Sequence, residues 1–208
     1  MSIIKTLFDD SDYQKKATPS ENKFKKNNIA LLRTYRDAVE YAFQNLHQKV
    51  FTVFKPNAMD RNLPSVAISS FIRDYFITNM PFNCKDATTG RFKLTTNSGE
   101  YIYLKRLYEN LMPSNIETTE NDIILNQCFK PGQSDKANIF LGYQTDDGYP
   151  NATGIFAVCI RVDKIEWAFN INSVLQQKEN SLYVKIKNVE NKPKLKEGVV
   201  KVKKNKSK

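Results

Sequence analysis

From residue 28 onward the apolar positions of this chain keep a helical period. Leu32, Tyr35, Val39, Ala42, Phe43, Leu46 and Val50 recur three and four apart, the pattern of an amphipathic helix with Asn28 as N-cap and its end near Lys49. The run from Val50 to Phe54, closed by Pro56, reads as a short strand or as the last turn of that helix. A second helix is predicted from Pro64 or Ser65 to Asn79. Ile68, Phe71, Ile72, Tyr75 and Phe76 share a face, Pro64 suits a first helical turn, and Pro81 forbids much continuation.

The period then shortens to two. Residues 91–105 predict a hairpin around Asn97, Ser98 and Gly99, its second strand reaching about Arg106, although Leu104, Leu107, Tyr108 and Leu111 also fit a helical spacing. Residues 113–137 are rich in Pro, Ser, Asn, Thr and Asp and read as loop with one small element at Ile123, Ile124 and Leu125. Three strand signals follow over 138–143, 154–162 and 165–171, separated by a loop on Asp146, Asp147, Gly148 and Pro150 and by a turn at Asp163 and Lys164. Ile155 to Ile160 is apolar on both faces and belongs inside a sheet, whereas Ile165, Trp167, Phe169 and Ile171 alternate with Glu166, Ala168 and Asn170. The expected class is α+β, with N-terminal amphipathic helices packed on a mainly antiparallel β-sheet of hairpins and meander within residues 91–203.

Composition refines this outline. With 208 residues, 40% of them hydrophobic and 26% charged, the chain supports one domain with a substantial core. Residues 1–27 mix lysines and acids without an apolar period and read as a mobile polar arm; residues 28–188 form the globular domain, and 189–208 a Lys-rich ribbon or tail. No apolar run is long enough to cross a bilayer and the start has no secretory pattern, so the expectation is a cytoplasmic protein without a membrane partner. Cys84, Cys128 and Cys159 are too dispersed for a disulfide framework or a zinc knuckle, and Cys159 reads as a core thiol.

Charge narrows the partner. Of the net +10, the last 24 residues, Lys185 to Lys208, supply 10 lysines against 2 acids, which points to an anionic partner or a solubilising tail. Lys185 and Lys187 alternate with Val184 and Ile186, and Lys201 and Lys203 with Val200 and Val202, so these four lysines would stand in rows on strand faces. Lysines that merely guard an edge strand would look the same.

The hairpin gives the sharpest inference. A three-residue loop with Gly99 in the left-handed region sets Thr96 opposite Glu100, Leu94 opposite Ile102 and Phe92 opposite Leu104, one apolar face. The other face then carries Arg91, Lys93, Thr95, Tyr101, Tyr103 and Lys105, with Lys93 across from Tyr103 and Arg91 across from Lys105. Cations interleaved with flat rings on an open sheet suit a single-stranded nucleic acid, since rings stack bases and cations hold phosphates. Tyr, Lys and Thr also favour any solvated strand face, and a two-residue loop would turn Tyr101 and Tyr103 into the core.

Catalytic chemistry has little to build on. His47 is the single histidine, which removes Ser/His, Cys/His and multi-histidine metal sites, and 7 glycines offer no phosphate-cradling loop. Glu190 and Lys192, with Asp163 or Asp147, have the residue types of a carboxylate-metal nuclease, but Glu190 precedes Pro193 in an expected turn. No cofactor or metal is expected. The reading is a non-enzymatic nucleic-acid-binding protein using Arg91, Lys93, Tyr101, Tyr103, Lys105, Lys185, Lys187, Lys201 and Lys203. The alternative is a protein-interaction module, an inhibitor or accessory subunit that presents its basic end to an acidic protein surface; a metal-dependent nuclease or toxin ranks third.

Overall fold

The computed structural model describes residues 13–55, 59–60, 62–80, 92–114, 118–129 and 131–177. Its elements run β1 (Gln14–Lys15), α1 (Glu21–Asn27), α2 (Ile29–Asn45), α3 (Leu63–Asn79), β2 (Lys93–Thr95), β3 (Tyr101–Arg106), α4 (Thr119–Leu125), β4 (Cys128–Phe129), β5 (Asn138–Thr145), β6 (Ala152–Arg161), β7 (Lys164–Asn170) and α5 over residues 171–177. The strands β2-β3-β5-β6-β7 make one mainly antiparallel sheet, and β1 pairs with β4 in a small second ribbon. The chain therefore has the α+β class. All the packing described below belongs to the unit Met1–Leu175.

The periodic residues of α2 bury as their spacing requires: Leu32, Tyr35, Val39, Ala42 and Phe43 lie in the core. The helix continues into a π-helical turn, Leu46–Val50, closed by the Phe51 N–H donating to the Leu46 carbonyl at 3.0 Å. Val50 to Phe54 is thus the helix's widened last turn and a following turn, not a strand. In α3, Ile68, Ile72 and Phe76 are buried, and proline occupies the first turn.

Alternation along the sheet separates two apolar layers. Leu94, Ile102, Ile139, Leu141, Tyr143, Ile155, Ala157 and Cys159 join the helical residues in the main core, together with Ile171 and Leu175 of α5. On the other face Phe140, Val158 and Ile160 pack with Leu107, Tyr103, Leu111, Met112 and the α4 residues Ile124 and Leu125. Leu107 reaches this layer by crossing over β5 at Gly142, where a Cβ would collide with its side chain. The sheet is therefore covered on both faces. As its composition implied, β6 is an interior strand, between β5 and β7.

Two arrangements were not foreseen. The β3–β5 pair is parallel, with Ile102 beside Ile139 and Leu104 beside Leu141, so residues 107–137 form a crossover and not a meander link. The segment read as a polar arm is docked over residues 13–27. Phe24 is fully buried with its ring 5.3 Å from Trp167, the Trp167 indole N–H donates to the Pro19 carbonyl at 2.9 Å, and Arg161 donates to the Lys16 carbonyl at 3.0 Å. A single aromatic anchor and backbone hydrogen bonds to strands more than a hundred residues away leave no local period to detect.

Candidate functional site

The hairpin register is the one that a three-residue loop requires. Thr96 N–H donates to the Glu100 carbonyl at 3.0 Å, Gly99 has φ 99°, and Leu94 pairs with Ile102, Lys93 with Tyr103 and Thr95 with Tyr101. The buried Glu100 carboxylate accepts hydrogen bonds from the Thr96 and Ser98 hydroxyls, which ties the turn together. Lys93, Tyr101, Tyr103 and Lys105 consequently share a sheet face, opposite the buried Leu94 and Ile102.

That face is not the open platform anticipated from the sequence. Tyr103 stacks against Phe140, with ring centroids 5.8 Å apart, and belongs to the second apolar layer. Tyr101 is half-buried, and ammonium groups surround its ring: Lys93 Nζ lies 4.1 Å from the centroid, Lys136 Nζ 5.3 Å and Lys16 Nζ 5.7 Å. Lys93 occupies the place that a stacked base would take. The two aromatic rings thus serve different ends, Tyr103 the core and Tyr101 the gathering of lysines by cation–π attraction.

Each lysine arrives from a different element. Lys93 comes from β2, Lys136 from the approach to β5, and Lys16 from the end of the ribbon strand β1. The parallel register sets Tyr101 beside Asn138, and the Tyr101 N–H donates to the Ala137 carbonyl at 2.8 Å, which brings Lys136 alongside. Lys16 is held at both ends of its backbone, its N–H donating to the Gln127 carbonyl at 2.7 Å and its carbonyl accepting from Arg161. Its ammonium donates to Asn138 Oδ1 at 3.1 Å, and the residue is only 7% exposed.

Burial, with the Lys93 charge beside it, pushes the Lys16 ammonium down to about 8, against the opposing pull of Asp135 and Cys128. The Cys128 thiol is itself pushed up by burial. An ammonium held largely out of water beside the Lys93 charge is disfavoured in its charged form, and an anion reaching it would favour that form.

Neither Lys16 nor Lys136 had a sequence signal, because what assembles them is the ribbon β1–β4 and the parallel pairing of β5. Of the residues singled out from the sequence, Lys93, Tyr101, Tyr103 and Lys105 share this face. Arg91, Lys185, Lys187, Lys201 and Lys203 lie outside the described residues, as do Glu190 and Lys192. Asp147 and Asp163 sit in turns at opposite ends of β6, too separated to share an ion. No group of three or more His, Cys, Asp and Glu residues that could hold a metal ion occurs among the described residues.

His47 turns its Nε2 to the Pro150 carbonyl at 2.7 Å and packs edge-on against Phe51, a packing role. Cys159 is buried in the core, its thiol pushed up to about 12 by burial and the Glu166 charge. A separate cleft of about 760 Å³ near Arg106 is lined by Glu109, Asp146 and Asp147, a carboxylate excess that repels polyanions. No helix among the described residues is long and apolar enough to cross a membrane. No protein-family model, curated protein or solved structure matches this chain.

Proposed function

We propose that this protein is a non-enzymatic nucleic-acid-binding protein that grips backbone phosphates with Lys16, Lys93 and Lys136 around Tyr101, the Lys-rich C-terminal residues, Lys185, Lys187, Lys201 and Lys203 among them, adding to the positive charge that attracts the polyanion. The observation that carries the reading is the convergence of three ammonium groups on the single ring of Tyr101. Interactions of this kind fix a strand by charge and carry no base readout, so affinity should be insensitive to sequence and steeply dependent on salt. Tyr101 acts chiefly by holding the lysines together, and Tyr103 by anchoring the face to the core.

The test is a titration of a fluorescent single-stranded oligonucleotide across a salt series. Lys93→Gln with Lys136→Gln should weaken binding and flatten the slope of log affinity against log salt by about 0.7 for each phosphate that is no longer neutralised. Undetectable binding at low salt, or a slope untouched by the double substitution in a protein with unaltered circular dichroism, refutes the proposal. A saturable complex with an acidic protein and none with oligonucleotides would favour the interaction-module reading instead.

A further inference from the structure

A second cleft, of about 440 Å³, opens between α2 and the part of the sheet where β6 begins and β7 ends. Its chemistry is unlike that of a chain with net charge +10: no lysine or arginine lines it, and Glu40 is the one carboxylate among its described lining residues. Five side-chain amides surround it instead. Gln44 and Gln48 come from α2 and its π-helical turn, Asn151 from the entry to β6, Asn170 from the end of β7 and Asn172 from α5. We infer that this cleft binds an uncharged saccharide, held by hydrogen bonds to these amides.

Local sequence places the helical wall. Glu40, Phe43, Gln44, His47 and Gln48 stand at i, i+3, i+4, i+7 and i+8, one face of a helix, with Phe43 buried and the polar members exposed. The turn that carries His47 and Gln48 is π-helical, a rare geometry that recurs at functional sites. Hydrogen bonds fix the opposing wall. His47 Nε2 donates to the Pro150 carbonyl at 2.7 Å, the Thr145 hydroxyl donates to the Asn151 carbonyl at 2.9 Å, and Asn170 Oδ1 accepts from the Ser173 N–H at 3.3 Å. The side-chain amides of Gln44, Gln48 and Asn151 make no hydrogen bond among the described residues, and Asn172 keeps a buried Oδ1 without a partner there.

The ligand class follows from this lining. An amide donates and accepts at once, and two neighbouring ring hydroxyls present the same pair of functions, so one amide can hold one diol. Val39, Phe43 and Ile155, residues of the main core, add apolar surface on which the C–H face of a sugar ring can pack. The volume lies within the range of about 300–1,000 Å³ usual for small-molecule sites. Anions are disfavoured, because Glu40 repels them and no lysine or arginine of the lining compensates. A nucleobase asks for an open ring to stack on, whereas Phe43 is 4% exposed and meets Tyr143 edge-on. The cleft shares no residue with the lysines around Tyr101, so the inference stands apart from the nucleic-acid reading.

The experiment records nitrogen–proton correlation spectra of the full chain during titration with glucose, galactose, mannose, N-acetylglucosamine, maltose and cellobiose, with glucuronate and adenosine as charged and aromatic controls. At least one neutral sugar should shift the signals of Gln44, Gln48, Asn151 and Asn172 saturably, with a Kd on the order of 1 mM. Gln44→Ala with Asn151→Ala should weaken that binding about tenfold through the loss of two amides. Both residues are exposed, so thermal unfolding should be unchanged, and oligonucleotide affinity should be unchanged as well.

Absence of saturable shifts from every neutral sugar at about 50 mM overturns the inference. So do shifts confined to residues outside the cleft, or a double variant that binds sugar as the wild type does. Binding of glucuronate or adenosine at the cleft more tightly than any neutral sugar overturns the assignment to an uncharged saccharide.

Discussion

Replacing Lys16 by methionine should stabilise the fold while impairing the site. The side chain keeps its length and most of its volume, but the charge is removed from a residue that is 7% exposed. The difference between the ordinary lysine value of 10.5 and about 8 amounts to about 3 kcal/mol of penalty on the charged form in the folded state. Loss of the hydrogen bond to Asn138 Oδ1 returns about 1 kcal/mol of that gain. The variant should therefore be more stable by about 2 kcal/mol at pH 7, a rise of about 4–8 °C in Tm for a chain of this size.

The sign of the pH dependence follows from linkage. Because folding lowers this lysine's pKa, the unfolded chain binds the extra proton between about pH 8 and 10.5, and the native wild type gains stability as pH rises through that window. Below 8 the penalty is complete. Urea unfolding at pH 7.0 and 9.5 reads it directly, with the difference between wild type and variant cancelling every other titrating group. The advantage of the variant should shrink by about 2 kcal/mol at the higher pH and nearly vanish. A variant no more stable than wild type at pH 7, or a difference indifferent to pH, would refute the electrostatic description of the site.

Two further outcomes test the frame around it. Phe24→Ala removes a fully buried ring that meets both Trp167 and Phe169 and should cost about 3–5 kcal/mol in chemical denaturation; a cost below about 1 kcal/mol would mean that residues 13–27 are not docked on the sheet. Val162 holds a left-handed backbone (φ 50°) at 51% exposure in the β6–β7 hairpin, a conformation that asparagine tolerates and a β-branched residue does not. Val162→Asn should raise stability by about 1 kcal/mol, and a loss in thermal unfolding would contradict that turn geometry.

Much of the frame was legible because it is written in short-range periods. The three-to-four spacing of Leu32 to Leu46 located α2, the pair of prolines around Ile68 to Phe76 bounded α3, and Asn97-Ser98-Gly99 set a hairpin register that the structure reproduces pair by pair. Features with no such period escaped. Residues 13–27 have one apolar anchor, Phe24, whose partners Trp167 and Phe169 lie far along the chain. The face of Tyr101 and Tyr103 was legible in identity but not in cover, since Phe140 and α4 reach it only through the crossover.

By itself, the sequence determined the class of the fold, the bulk of its secondary structure, the β2–β3 register and the concentration of positive charge, all of which depend on neighbours within a few positions. Only the tertiary structure decided what the basic face became. Parallel pairing of β5 with β3 brought Lys136 to Tyr101, and the β1–β4 ribbon carried Lys16 into a buried position beside it. A charge cluster depends on distances through space and on exclusion of water, and neither is encoded in the spacing of residues along a chain.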